Sequence, residues 1–300
     1  MFTRPTRCPN PVCRFHDGPE GAEELYGTSQ FWTKMGYYRR RIDRRAVPRY
    51  RCRSCGRSFS SQTSQPSYCD RRPDVNGMVF RLLCSGVTIR RTAMLVGVHR
   101  DTVMGKMRRM ADRARSIHDG RLDGGEIRTS HIQFDELQTF EHTRLKPVSV
   151  AVAIRAKTGE IIDIDVAMMS PAGTTARLAR ERYPHWRESR QGARESVFRS
   201  IGKCAKPGAV VRTDQCDHYP PIARRLAPQA TVVQHMSPGN PENPATGGFN
   251  PMFKLDHLFA TLRQDLPRLG RSTWATTKSL EGLLNHLMLY IGWRNGYAIA

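Results

Sequence analysis

The sequence is short of acidic residues and has no long apolar run. Its 300 residues include 27 Asp and Glu against 48 Lys and Arg, which gives a formal net charge of +21 at pH 7. A membrane-spanning helix needs about 18 or more consecutive apolar residues, and no such run occurs. The first residues, MFTRPTRCPNPVC, also lack the apolar core of a secretory signal. We therefore expect a cytoplasmic protein.

The basic excess is mostly arginine, which bears on the kind of partner. Neutralising phosphates with release of counterions is the commonest use of such a surplus, and the planar guanidinium matches phosphate oxygens. Nucleic acid is therefore the expected partner. An anionic membrane surface is the weaker alternative.

The chain has no repeat of solenoid period, and its composition predicts a multidomain α+β fold. Residues 1–66 are rich in Cys, Arg, Gly and Pro. They are expected to form a small module that needs a staple, that is, a cross-link such as a bound metal, to be stable. Residues 67–116 have helical periodicity, and the polar, Gly-containing residues 117–130 are typical of a linker. Residues 131–300 alternate strand and helix patterns, which predicts one mixed sheet flanked by helices. The TGE turn at residues 158–160 predicts a hairpin between two of the strands. Within them, SPGNPENPATGGFNP, residues 237–251, predicts an irregular loop.

Four of the eight cysteines form two close pairs, CPNPVC and, some forty residues later, CRSC. Zn²⁺ binds four thiolates tetrahedrally, and its binding folds modules too small to fold alone. Gly56 after the second pair lets backbone amides turn toward the sulfurs. The alternatives are unrelated reduced thiols, or His16 in place of one ligand. The predicted zinc ligands are Cys8, Cys13, Cys52 and Cys55.

The segment from Thr88 to Arg109 has the rhythm of a helix-turn-helix. Thr88 can cap a first helix, Ala93 is a small residue suited to a close helix crossing, and Gly97 supplies the turn. Base contacts come from the first turns of a recognition helix, and later basic residues contact phosphate. The alternative is an ordinary helical hairpin with a solvated basic face. The predicted DNA-binding residues are His99, Arg100, Asp101, Thr102, Lys106 and Arg109.

Two aspartates occupy positions where burial is costly without a metal or a partner. Asp135 lies inside the apolar strand pattern IQFDEL, and Asp214 ends the strand AVVRTD. Carboxylates on neighbouring strands, joined by a third from a helix, can hold two Mg²⁺ ions around a phosphodiester. Glu136 should face away, on the other side of the strand. Taken separately, each Asp could instead be a turn or cap residue.

The third acid is expected in KLDHLFATLRQDLPRLGR, where Asp256 and Arg263 flank a stripe of apolar residues. Residues seven apart on a helix differ by only about 20° in azimuth, so the two groups lie two turns apart on one line. The alternative is a surface ion pair of little energetic value. Glu281 on the last predicted helix is a reserve candidate for the third acid.

In this combination the sequence resembles the zinc-ribbon transposases of short bacterial insertion sequences. The most specific segments are Leu262 to Arg271 and Thr277 to Ser279. The resemblance implies an RNase H-like catalytic domain of the DDE type, with Asp135, Asp214 and Asp256 as its acids and Arg263 as the basic residue that follows. Asp stands here where Glu is usual, and it reaches one methylene less far.

The resemblance implies metal-dependent cleavage at element ends and strand transfer into double-stranded target DNA by a homo-oligomer on paired ends. The cofactors would be structural Zn²⁺ and catalytic Mg²⁺ or Mn²⁺, and the protein would be nucleoid-associated. Two other functions remain open: a DNA-binding regulator with a decayed catalytic core, and a structure-specific nuclease of the same fold.

Overall fold

The structure is a computed structural model that describes residues 4–41, 44–63, 65, 68, 70–236 and 250–299. The chain divides into two compact units, Met1–Asn76 and Gly77–Ala300. The predicted loop at residues 237–251 lies almost entirely outside the described residues.

The first unit is a small three-stranded antiparallel sheet with one short helix. Its elements are α1 (Ala22–Tyr26), β1 (Trp32–Arg39), β2 (Ala46–Cys52) and β3 (Ser58–Ser60), with β2 in the centre. Its core is built from aromatic rings and cysteines: Phe31 stacks on Phe15, with ring centroids 5.4 Å apart, and also on Phe59. So few core residues bury little apolar area, which agrees with the prediction that this module needs a staple.

The second unit begins with three helices, α2 (Asn76–Leu83), α3 (Ile89–Val96) and α4 (Arg100–Asp123). The Thr88 hydroxyl caps α3 by accepting a hydrogen bond from the Arg91 amide at 3.4 Å. Gly97 ends α3 with φ of 69°, a left-handed conformation that favours glycine. The predicted cap and turn are confirmed.

The predicted boundary at residue 116 and the linker at 117–130 are wrong, because α4 runs unbroken to Asp123. Ala114, His118 and Leu122 are buried, and the two ring nitrogens of His118 lie 2.7 Å from the Tyr297 hydroxyl and 2.6 Å from the Ile162 carbonyl. These contacts join the second half of α4 to the rest of the unit. The helices therefore belong to the second compact unit and do not form a domain of their own.

The remainder is a mixed five-stranded sheet with helices. Its elements in chain order are β4 (Thr129–Phe140), β5 (Pro147–Arg155), β6 (Ile161–Met168), α5 (Ala176–Arg182), α6 (Arg190–Cys204), β7 (Ala205–Thr213), α7 (Tyr219–Leu226), β8 (Ala230–Gln234), α8 (Phe253–Asp265) and α9 (Leu280–Arg294). The strand order is β6-β5-β4-β7-β8. The β4–β5 and β5–β6 pairs are antiparallel, whereas β7 pairs parallel with both β4 and β8.

Apolar patterning accounts for the sheet and its covering helices. The central residues of β5 are all buried, because α6 packs on one face of the sheet while α8 and α9 pack on it elsewhere. The predicted hairpin turn is confirmed at Gly159, whose φ is 73°. The basic run after β6 forms two helices and not one, since Pro184 disfavours helix at the residue before it. Among the described residues, no helix has the length and apolarity needed to cross a membrane.

Candidate functional site

The first candidate site is the cluster of the four predicted cysteines. The sulfur atoms of Cys8, Cys13, Cys52 and Cys55 all lie within 4.8 Å of one another. The Cys8 and Cys55 sulfurs are 3.6 Å apart, and those of Cys13 and Cys52 are 3.7 Å apart. Four sulfurs from two close pairs at these distances could hold one metal ion.

Two tight turns bring the cysteines together. The Cys13 amide donates to the Asn10 carbonyl at 3.0 Å, and the Gly56 amide donates to the Cys52 carbonyl at 3.1 Å. Gly56 has φ of 70°, so the turn requires the residue that the sequence provides. His16 places its Nδ1 atom 2.9 Å from the Cys8 carbonyl oxygen, which occupies this nitrogen within the backbone turn.

Burial and hydrogen bonds act on the acidity of three of these thiols. Burial raises the pKa of the Cys8 and Cys52 thiols. Burial also acts on Cys55, but hydrogen bonds from the Arg57 backbone and the Asn10 side chain outweigh it and lower its pKa to about 6. A metal ion would stabilise all four thiolates, because metal binding requires deprotonated ligands.

A surface that the sequence prediction missed lies on β1. This edge strand carries the exposed side chains of Lys34, Met35, Tyr37, Tyr38 and Arg39. The Lys34 ammonium lies 4.4 Å from the centre of the Tyr37 ring. Alternating basic and aromatic residues on an exposed strand suit contact with phosphates and bases. The run KMGYYRRR was the available signal.

The predicted DNA-binding residues divide into exposed and buried. His99, Arg100, Asp101 and Arg109 are exposed and Thr102 is partly exposed, in or near the first turns of α4. Lys106 is an exception, with only 1% of its surface accessible, so its prediction as a DNA contact is wrong. Positions 103, 106, 107 and 110 lie on one face of the helix, and Val103, Met107 and Met110 turn this face toward the core.

The second candidate site is formed where β4 and β7 run side by side. The last paired residues of these parallel strands are Gln133 and Arg212. Asp135 and Asp214 each lie two positions further along, so they follow the same register at the carboxyl end of β7. Neighbouring strands are about 4.8 Å apart. The sheet therefore brings the two predicted acids side by side.

The environment of these two carboxylates opposes their ionisation. Burial, together with the negative charges of Asp214 and Asp256, raises the pKa of Asp135 to about 7, although its side chain accepts the Glu136 amide at 2.7 Å. Burial also raises the pKa of Asp214. The Asp214 Oδ1 atom is buried and finds no hydrogen-bond donor among the described residues. Such an oxygen suits a cation.

The helix carrying the third predicted acid is tied to the same strand. The Gln133 amide nitrogen donates to the Pro251 carbonyl at 2.6 Å, and its oxygen accepts the Leu255 amide at 3.0 Å. Gln133 and Asp135 lie on the same face of β4, so this anchor directs the first turn of α8 toward the acids. Asp256 is exposed in that turn and accepts a hydrogen bond from Asn250 at 2.7 Å.

The three acids are less tightly grouped than the cysteines. Among the described residues, only the cysteine cluster brings three or more ligand atoms of this kind within 4.8 Å. The charge of Asp256 nevertheless acts on Asp135. The reserve candidate, Glu281, is exposed and lies 3.7 Å from Arg108 on α4.

Glu136 faces the other side of the sheet, as predicted, and is held by a network that the sequence did not reveal. Its carboxylate accepts hydrogen bonds from Ser149 at 2.7 Å, from Arg194 at 2.6 and 2.9 Å, and from the Tyr219 hydroxyl at 3.0 Å. The positive charge of Arg194 partly offsets the rise that burial causes in the pKa of Asp214. The network thus fixes β4, α6 and α7 around the acid pair.

Arg263 lies two turns along α8 from Asp256, as the periodicity predicts. It lines a cavity of about 600 Å³ together with Arg144 and Arg271. Burial lowers the pKa of Arg263, and the positive charge of Arg271 lowers it further. Its Nε atom is buried without a hydrogen-bond partner in the described part of the chain. Arg263 is therefore available for an anion.

The arrangement combines a four-thiol cluster in one unit with an acid pair and a cationic cavity in the other. Of these groups, the four thiols could hold a metal ion. Comparison of the chain with protein-family models and with curated proteins found no match.

Proposed function

We propose that this protein is a metal-dependent DNA transposase of the insertion-sequence type. The observation that carries the proposal is that Asp135 and Asp214 each lie two positions beyond the last residue pair of the parallel strands β4 and β7, with the helix of Asp256 anchored to β4 by Gln133. A mixed sheet with helices packed on it is compatible with an RNase H-like domain. Carboxylates in this arrangement suit Mg²⁺ or Mn²⁺.

The acid site has the donors that divalent ions need. Asp135 and Asp214 would be the main ligands, since one has a strongly raised pKa and the other a buried oxygen without a donor among the described residues. When bound, the metal ions would activate water or a 3′-hydroxyl and stabilise the leaving oxygen. Arg263 would hold the phosphate of the strand, and Gln133 would keep Asp256 in reach of the site.

The first unit and the exposed start of α4 would provide DNA binding. We assign structural Zn²⁺ to the four cysteines, because four thiolates form a closed tetrahedral site. The exposed basic and aromatic side chains of β1, together with His99, Arg100 and Arg109, would contact the element ends. We expect a homo-oligomer on paired ends, associated with the nucleoid.

The test is an assay with Mg²⁺, labelled DNA fragments from both flanks of the gene as candidate element ends, and a target plasmid. Asp135→Ala and Asp214→Ala should abolish cleavage while end binding persists. Asp217→Ala is the matched control, because this exposed acid lies just after Asp214. Residual cleavage by both alanine variants would refute the metal site. Binding without cleavage by the wild type would favour the regulator, and cleavage without strand transfer the nuclease.

The substitution of Asp for the usual Glu at position 256 has its own test. Asp256→Asn should lose strand transfer, whereas Asp256→Glu should retain or increase it, because the longer side chain reaches further toward the acid pair. Equal strand transfer by the Asn variant and the wild type would remove Asp256 from the catalytic set.

A further inference from the structure

The cavity lined by Arg144, Arg263 and Arg271, here called the arginine pocket, lacks a partner for its charge. The one acid in its wall, Glu136, already accepts hydrogen bonds from Arg194 and other side chains. Within the described residues, none of the three arginines forms an ion pair with a carboxylate. Arginines that face one cavity repel each other unless an anion binds there. The pocket is therefore suited to a phosphate.

The arginine pocket lies next to the acid pair. Its wall includes β4 from Glu136 to Phe140, the part of the strand beyond its last pair with β7. Asp135 immediately precedes this part, and Arg263 comes from the helix that carries Asp256. A strand whose phosphate enters the pocket would therefore continue toward the acids.

Residues 270–279 form one side of this region and are held at both ends. Arg144 donates to the Arg271 carbonyl at 2.9 Å and to the Ser272 hydroxyl at 3.3 Å. Further along, Thr277 forms an isolated β-bridge with Glu141. The Thr277 carbonyl also accepts a hydrogen bond from the His142 amide at 2.9 Å. The segment therefore follows the turn between β4 and β5 from the pocket wall to the end of β4.

Trp274 lies between these two attachment points and is fully exposed, with a relative accessibility of 103%. The other three tryptophans are at least partly covered. Its indole adds nothing to the core, although an indole is one of the most favourable side chains to bury. Trp274 is three positions along the chain from Arg271, which lines the pocket. An exposed aromatic face close to cations is the combination that binds a nucleotide, with the phosphate at the cations and the base on the ring.

We propose that the arginine pocket and Trp274 form a binding site for an unpaired nucleotide of the DNA strand that enters the acid site. The phosphate binds to Arg271 and Arg263, and the base stacks on Trp274. The base must be unpaired, because the faces of bases inside a duplex are covered by their neighbours. The inference rests on the proposed function only for the identity of the acid site.

Fluorescence anisotropy tests the site with two labelled DNAs, a blunt duplex and the same duplex with a short single-stranded extension. The buffer contains no Mg²⁺ or Mn²⁺, so that no cleavage occurs, and it contains no chelator, so that zinc stays bound to the cysteines. Wild type should bind the extended duplex more tightly. Stacking of one base contributes enough that Trp274→Ala should weaken this binding about 5- to 150-fold, with no change on the blunt duplex.

Three further variants make the test specific. Trp274→Phe should keep most of the affinity, since phenylalanine still offers an aromatic face. Arg271→Gln should weaken binding and reduce the slope of log affinity against log salt by about one phosphate contact. Leu178→Ala removes another exposed apolar side chain of the same unit and should change nothing. Because Trp274 is fully exposed, its removal does not threaten folding.

Equal binding of the extended duplex by Trp274→Ala and wild type would overturn the site, as would an equal loss on both DNAs. These outcomes are separate from failure of the proposed function. A protein that prefers the extended DNA through Trp274 but cleaves nothing with Mg²⁺ keeps the nucleotide site and loses the transposase assignment. If the wild type cleaves normally but Trp274→Ala binds the extended duplex as tightly as the wild type, the transposase assignment is kept and the nucleotide site is lost.

Discussion

Replacing Asp135 by Asn should stabilise the metal-free protein while abolishing its activity. Asp135 is a partly buried acid whose pKa is raised from 3.8 to about 7 by burial and by the charges of Asp214 and Asp256. An acid with a raised pKa binds its proton more tightly in the folded state. The wild type therefore loses stability as the pH rises from about 4 to about 7, and above pH 7 it bears the full cost of the charge.

The size of the effect follows from the pKa. One pKa unit corresponds to about 1.4 kcal/mol, so a rise from 3.8 to about 7 costs about 4 kcal/mol at pH 8. Asparagine has nearly the same shape, carries no charge, and can still accept the Glu136 amide through its side-chain oxygen. Asp135→Asn should therefore raise the free energy of unfolding at pH 8 by as much as about 4 kcal/mol, and by little at pH 4.

Urea denaturation followed by circular dichroism, without added Mg²⁺ and without a chelator at several pH values, measures this difference. The matched control is Asp163→Asn on β6, because the pKa of Asp163 is also raised, to about 6, mainly by burial. Mg²⁺ should stabilise the wild type and the Asp163 variant but not Asp135→Asn. A gain that is the same at pH 4 and pH 8, or equal stabilisation of all three proteins by Mg²⁺, would refute the reasoning.

Three other substitutions probe the remaining features. Cys52→Ser should release bound zinc, measured by elemental analysis, whereas Cys84→Ser, at a buried thiol outside the cluster, should keep it; equal zinc in both would refute the cluster as the metal site. Arg194→Met removes the closest cation of the buried Glu136, with Arg190 left at 3.9 Å, and should lower the free energy of unfolding by up to about 3–5 kcal/mol at pH 8. Urea denaturation measures this change, and an unchanged midpoint would show that the pair contributes nothing. Gln133→Leu frees the start of α8 and should slow Mg²⁺-dependent cleavage at least about tenfold at unchanged DNA affinity, and unchanged cleavage would exclude the positioning role.

Local patterns predicted most elements well. The strand around Asp135, the hairpin turn at Gly159 and the capped helix after Thr88 are all confirmed, since each depends on neighbouring residues in the chain. The cysteine spacing also predicted the cluster correctly. In each of these cases the physical cause is local: side-chain alternation, a positive φ, or a hydroxyl placed to accept an amide.

The predictions were wrong where contacts between residues far apart in the chain determine the local structure. HDGRLDGG has the composition of a linker, yet α4 continues through Gly120, because burial of Leu122 and the hydrogen bonds of His118 outweigh the low helix propensity of glycine. Lys106 has the charge of a DNA contact, but its position on the helix turns it inward with Met107. A propensity of about 1 kcal/mol cannot compete with several buried contacts.

By itself, the sequence determined the two cysteine pairs, the two acids at strand positions and the large basic excess. Only the tertiary structure decided that β4 and β7 are neighbours in one register, that Gln133 ties α8 to β4, and that Arg144, Arg263 and Arg271 line one cavity. The physical reason is the separation along the chain. Gln133 and Leu255 hydrogen-bond across 122 residues, a contact that depends on how the whole sheet and its helices pack.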